Sequence, residues 1–175
     1  MKIKKTLCCL FAILFVVGAL GVNAMAVSVP YPIMIIDNDP VSSTGYSYSQ
    51  SGFVYFTDGS LYNGDARKAG LSTSNYYNYT HPDKNLGKSF HVSVSAYLNH
   101  NDFKDPAARY YVLINDRKMY VGSIDQYNAP GGWSKIGDTG EVWSVTQYGK
   151  GVRVSPSGRR DYTGADGISI QYVMQ

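Results

Sequence analysis

One stretch constrains the fold of this chain more than any other. From Phe90 to Leu98, the apolar residues Phe90, Val92, Val94, Ala96 and Leu98 alternate with His91, Ser93, Ser95 and Tyr97. A period of two sends successive side chains to opposite faces of an extended backbone, so the segment predicts a strand with one buried and one wet side. Runs rich in Val, Ile and Tyr recur along the chain, separated by Gly, Pro, Asn and Asp, and none sustains a helical period. Further strands are expected at 33–37, 53–56, 110–115, 119–124, 142–147, 152–155 and 168–173. The sequence Asn115-Asp116-Arg117-Lys118 predicts a tight hairpin, because Asn and Asp tolerate positive φ. About eight strands at this spacing point to an all-β fold, a two-sheet antiparallel sandwich of jelly-roll type. An immunoglobulin-like sandwich is the second compatible architecture. The Tyr- and Asn-rich residues 72–80 read as a loop with a short strand.

The two ends of the sequence differ in kind. Lys2, Lys4 and Lys5 precede an apolar stretch from Leu7 to Val22, followed by Asn23 and Ala24-Met25-Ala26. That is the order of a secretory signal, with cleavage expected after Ala24 or Ala26, a single domain at 27–175, and no stable membrane insertion afterwards. The expected location is extracellular, either free or at the cell surface. Cys8 and Cys9 lie inside the apolar stretch, so the domain after cleavage has no thiol and no disulfide. The three lysines are also the whole charge excess: 16 Lys plus Arg face 13 Asp plus Glu overall, and 13 face 13 after residue 26. A neutral domain lacks the basic field that nucleic acid requires, and that partner class is excluded.

The domain is unusual in its aromatics, with 16 Tyr in all. A ring with a polar end suits a half-wet surface, where it covers the apolar face of a sugar while Asn, Asp or Gln bond the hydroxyls. The candidate ligand contacts are Tyr76, Tyr77, Tyr79, Tyr127 and Trp133, and each is equally suited to packing within a sheet. In an extended segment Tyr77 and Tyr79 share one face and Tyr76 points away. His81, His91 and His100 show no metal-ligand spacing, and His91 and His100 read as solvated. The oxygen-rich loop from Asn99 through Asp105 and the run Asp37-Asn38-Asp39 both lack an EF-hand pattern, so turns are expected there and no metal or cofactor is assigned. No nucleophile elbow, catalytic Cys, zinc-protease, P-loop or dinucleotide motif is present, which leaves no catalytic residue to name. Asp37 and Asp166 are the carboxylates to check as a glycosidase pair, since such a pair depends on separation in space and leaves little local signature.

Several segments, in order, resemble the golvesin and xanthan-lyase C-terminal domain family of carbohydrate-binding-like sandwiches. They are Ile33-Met34-Ile35-Ile36 leading into Asp37-Asn38-Asp39-Pro40, then Tyr62-Asn63-Gly64-Asp65-Ala66-Arg67, then Gly87 to Tyr97. Asp105-Pro106-Ala107-Ala108-Arg109-Tyr110-Tyr111-Val112 follows, then Gly132-Trp133-Ser134-Lys135-Ile136-Gly137 and Gly164-Ala165-Asp166-Gly167-Ile168-Ser169-Ile170. Two positions depart from the family pattern: Tyr46 or Tyr48 stands where a Trp is common, and Gly167 replaces an Ala. The resemblance implies a galactose-binding-like sandwich and makes Trp133 part of a structural signature, ranking it below the Tyr cluster as a ligand contact. It transfers no contact residues. The function expected is a secreted, non-catalytic carbohydrate-binding-like module on cell-wall or extracellular polysaccharide. The alternatives are an adhesive surface protein that binds another protein and, third, a polysaccharide-degrading enzyme.

Overall fold

A computed structural model describes residues 29–39, 46–86, 89–140, 142–143, 148–159 and 161–174. The expected signal and both cysteines lie outside these residues. Fourteen strands are described, and the helical element among the described residues is a 3-10 turn at Tyr62–Gly64.

The alternating segment forms β7 (Ser89–Leu98), whose even-numbered residues from Phe90 to Leu98 are all buried. It pairs with β14 (Ile168–Met174) on one side and with β10 (Gly132–Asp138) and β11 (Val142–Trp143) on the other. β1 (Val29–Pro30) and β2 (Met34–Ile36) both pair with the far side of β14 and complete a six-stranded sheet. The facing five-stranded sheet runs β3 (Ser47–Ser51), β6 (Tyr76–Asn85), β12 (Tyr148–Ser155), β8 (Ala108–Ile114), β9 (Arg117–Ile124). A third, three-stranded sheet, β13 (Thr163–Ala165), β5 (Asp65–Ala69), β4 (Phe53–Thr57), stands beside them. Every pairing is antiparallel, and the result is the expected jelly-roll-type sandwich.

The core follows from the alternation. Val92 and Val94 of β7 and Ile168, Ile170 and Tyr172 of β14 share it with Val112 and Ile114 of β8 and Val152 and Val154 of β12, all buried. Each such side chain contributes about 1.5–3 kcal/mol by leaving water. The hairpin between β8 and β9 turns on Asn115 and Asp116, with Asn115 at φ 50°.

The structure corrects several boundaries. The expected loop at 72–80 contains most of β6, a ten-residue central strand. β3 and β5 had no apolar alternation to announce them, since one is Ser-Tyr-Ser-Gln-Ser and the other carries Asp65, Arg67 and Lys68. The strand expected at 142–147 is described only at Val142–Trp143, and the rest lies outside the described residues.

Candidate functional site

Two adjoining surface hollows lie where loops leave the sandwich. One hollow of about 440 Å³ is lined by Asn99, His100, Asn101, Lys104, Gln126 and Tyr127, among others. A second, of about 450 Å³, is lined by Lys104, Asp125, Tyr127 and Asn128 with Pro106 and Asp161. Lys104 and Tyr127 belong to both, so the two form one groove with the Tyr127 ring on the ridge between them.

Local chemistry holds that ring out of the core. Tyr127 is 67% exposed. Asp125 caps its turn: Oδ1 accepts from the backbone N–H of Tyr127 at 3.0 Å and of Asn128 at 3.2 Å, and Oδ2 accepts from the Asn128 amide at 2.7 Å. These bonds hold the Asp125 carboxyl below its ordinary range, the Asn128 side-chain bond acting most strongly. Beneath the ridge, Gln126 is buried and bonds Gly164 in both directions, donating to its carbonyl at 3.0 Å and accepting from its N–H at 2.8 Å. The same amide nitrogen donates to the Tyr110 hydroxyl at 3.0 Å.

A second anchor fixes the other wall. Asp105 is buried, yet its carboxylate is fully engaged: it accepts from Ala107 N at 2.9 Å, Ser157 N at 2.8 Å, Ser157 Oγ at 2.5 Å and Thr163 Oγ1 at 2.5 Å. Lys68 pairs with Asp102 in the same loop, and Phe103 lies against Gly164, where a Cβ would come within 2.1 Å of the ring. The carboxylates of the oxygen-rich loop are therefore committed to donors and to a lysine. Among the described residues no group of three or more His, Cys, Asp or Glu side chains could hold a metal ion.

The other candidate contacts fall elsewhere. Tyr77 and Tyr79 do share one face of β6, but that face is the interior: they are 0% and 2% exposed. Tyr77 donates its hydroxyl to the Asn38 carbonyl, and the two rings meet edge to face with centroids 4.9 Å apart. This corrects the expectation that the pair forms a wet stacking face; a sugar cannot reach either ring. Tyr76 points outward beneath Arg153, whose guanidinium carbon sits 4.2 Å from the ring centroid. Trp133, 40% exposed, packs with Tyr97 and Tyr62 into a triad with centroids 5.4 to 5.6 Å apart. Gly167 adjoins this triad, and a Cβ there would lie 3.1 Å from the Tyr62 ring and 3.3 Å from Trp133. A methyl group there would have to push one of the two rings aside.

Of the histidines read as solvated, His100 is corrected, and His81 has a place of its own. His81 is buried: its Nδ1 meets the Pro82 carbonyl at 2.7 Å and its Nε2 the Tyr172 hydroxyl at 2.9 Å. A carbonyl only accepts, so Nδ1 carries the proton and Nε2 accepts from Tyr172, which satisfies the neutral ring. Burial lowers its pKa accordingly. His100 is half-buried against Phe56 and Phe103 rather than solvated.

Asp37 and Asp166 both reach the 3-10 turn. Asp166 Oδ2 accepts from Tyr62 N at 3.0 Å, and Asp37 Oδ2 accepts from the Asn63 amide at 2.6 Å. Burial raises Asp166 to about 8, with Asp37 and Asp65 adding repulsion, and burial also raises Asp37. The pair links the ends of β2 and β14 to this turn.

The fold has a counterpart in a xanthan lyase from Paenibacillus, with TM-score 0.55 and 14% identity over 82% of this chain; the chain spans 13% of that protein's length. A family 35 carbohydrate-binding module from Clostridium thermocellum superposes less closely, at TM-score 0.46 and 10% identity, covering 78% of this chain and 97% of the module. A xylan-binding module, CBM15, gives TM-score 0.35 and 14% identity over 81% of this chain and 96% of its own. The sequence matches no family model and no curated protein.

Proposed function

We propose that this chain is a secreted, non-catalytic carbohydrate-binding module of the golvesin and xanthan-lyase C-terminal type, and that it holds extracellular or cell-wall polysaccharide in the loop-end groove. One observation carries the reading: an exposed Tyr127 ring, fixed by Asp125, on a ridge between two hollows edged by Asn99, Asn101 and Asn128. A sugar ring offers a C–H face to the aromatic and hydroxyls to the amides, and the stacked ring supplies on the order of 1 kcal/mol. The order of the resembling segments supports the family assignment, and the fold shared with part of a xanthan lyase supports a sandwich of this general kind. Both oxygens of Asp37 and Oδ2 of Asp166 accept from backbone and amide donors, which supports a structural role for this pair.

A glycan array with wild type and Tyr127→Ala tests this. Wild type retains a neutral polysaccharide, and the variant loses roughly fivefold in affinity at an unchanged thermal midpoint. Equal retention by both proteins removes the groove from the site, and release of reducing ends from the bound polymer replaces binding with hydrolysis. The secretory reading is checked by N-terminal sequencing of exported protein, which should begin at Met25 or Val27.

A further inference from the structure

The outer face of the five-stranded sheet carries a concentration of charge that the neutral total conceals. A hollow of about 310 Å³ at the β8–β9 hairpin is lined by Arg117, Lys118, Lys150 and Arg153, with Asp116 as its one carboxylate. Four of the 13 cations that follow residue 26 thus converge on one depression. Asp116 meets Lys150 at 3.6 Å, but its side chain is 99% exposed, and a pair so open to water cancels little of the field. Among the described residues Arg117 and Lys118 have no carboxylate partner.

Backbone geometry builds this hollow. In β12 the alternation that buries Val152 and Val154 would turn Lys150 inward as well. A register shift opposite β8, where Gly149 faces Ile114 and Gly151 faces Leu113, leaves Lys150 as the extra, unpaired residue of a bulge. Bulges re-aim side chains in this way, and Lys150 opens onto the same hollow as Arg153. Arg153 is itself held in place: its Nε donates to Asn78 at 2.7 Å while the guanidinium lies over Tyr76. An ordered guanidinium loses less freedom on meeting an anion than a mobile one.

The neighbours of these cations are aromatic and hydroxylic. One row across the sheet reads Asn78, Arg153, Tyr111, Tyr120, and the next reads Thr80, Gly151, Leu113, Lys118. Tyr111 and Tyr120 pack edge to face at 5.7 Å, Lys118 lies 5.5 Å from the Tyr111 ring, and Tyr120 is exposed. Rings beside cations offer stacking for a sugar and a counter-charge for an acidic substituent on it. A simple inorganic anion would use only the second, and a nucleic-acid backbone needs a basic track longer than one depression.

We propose that the outer face of the five-stranded sheet at the β8–β9 hairpin is a second, separate binding site, and that it takes carboxylated sugar residues of an acidic polysaccharide. Arg153 and Lys118 pair with the carboxylate, and Tyr111 and Tyr120 cover the ring. This site lies on different elements from the Tyr127 groove and does not depend on it.

The test uses polygalacturonate and its fully methyl-esterified form, which share a backbone and differ in charge. Retention of the protein in affinity gels should favour the acid form and weaken as salt rises from about 50 to about 500 mM. Arg153→Ala combined with Lys118→Ala should lower the acid-form affinity roughly fivefold, while Lys135→Ala, an equal change in charge per site on the other sheet, should leave it unchanged. Thermal midpoints of the variants, all on exposed or half-exposed positions, confirm that they are folded. Equal retention of the two polymers, an undiminished double variant, or equal retention of duplex DNA overturns the proposal. Retention of a neutral polysaccharide reads the groove, and the difference between acid and ester reads the hairpin site, so either can fail alone.

Discussion

Strand β6 and the turn at 125–128 both present tyrosine among Asn and Asp, and they use it in opposite ways. In β6, Tyr77 and Tyr79 fill the space between the sheets, and the Tyr77 hydroxyl ends on the Asn38 carbonyl. In the turn, Asp125 takes the backbone N–H groups and leaves the Tyr127 ring in water. What separates them is the direction imposed on the side chain: a paired strand sends alternate rings inward, whereas in the capped turn Gln126 takes the inward place and the next residue, Tyr127, is left outside. Local composition carries none of this information. Carboxyl groups show the same contrast, since burial lifts Asp166 and hydrogen bonding depresses the open Asp125.

The strongest way to break the comparison is to truncate the buried rings. Tyr79→Ala or Tyr77→Ala should each cost about 3–5 kcal/mol in urea unfolding, against a typical total of about 5–15 kcal/mol for a domain. The double variant should not fold stably, so a folded double variant would show that these rings are dispensable. Tyr77→Phe, which keeps the ring and loses the bond to Asn38, should cost about 1 kcal/mol.

The next effect comes from pH. Asp166 has a folded pKa raised to about 8, so the folded state holds a proton there that the unfolded state has lost, and stability falls as pH rises. His81 is shifted the other way: its folded form stays neutral, and stability is lost as pH drops below its unfolded value of about 6.5. Just below about pH 6.5 the two effects offset each other, because each state then holds one proton. Between about 6.5 and 8 Asp166 alone of these two groups differs, and it should lower stability by up to about 1.4 kcal/mol per pH unit. Asp166→Asn should flatten that decline, and a thermal midpoint unchanged from pH 6.5 to 8 in wild type would refute the assignment.

Gly167→Ala should cost about 1–2 kcal/mol, because the added methyl presses on Tyr62 and Trp133. Tyr127→Ala should move stability by less than about 0.5 kcal/mol while weakening glycan retention, which is the sharpest form of the contrast.

The sequence shows the fold where burial and alternation coincide. β7, β8 and β14 have one fully buried face, so their apolar residues print a period of two. β3 is an exposed edge strand of Ser, Tyr and Gln, joined to β6 by backbone bonds and by polar side-chain contacts such as Asn78 to Ser49, which leave no apolar alternation in the sequence. β6 is hidden differently: its inward residues are Tyr77, Tyr79 and His81, which a hydropathy reading treats as half-polar. For the groove, Tyr127 was legible as an aromatic among turn residues. Its partners at 99–104 were not, because they join it through tertiary bonds, the Gln126 N–H to the Asp105 carbonyl and the bonds of Asp105 and Gln126 to residues 157–164. The basic hollow draws on residues 113–118 and 150–153, and the bulge that adds Lys150 leaves no mark in composition.

The engagement of Asp105 has a kinetic consequence. Four donors from Ala107, Ser157 and Thr163 fix the loop wall of the groove before any ligand arrives. A wall already in its bound shape leaves no slow rearrangement to follow the encounter, so a stopped-flow trace of oligosaccharide binding should be a single exponential whose rate rises linearly with ligand concentration. Differences in affinity among sugars would then reside in how long each one stays.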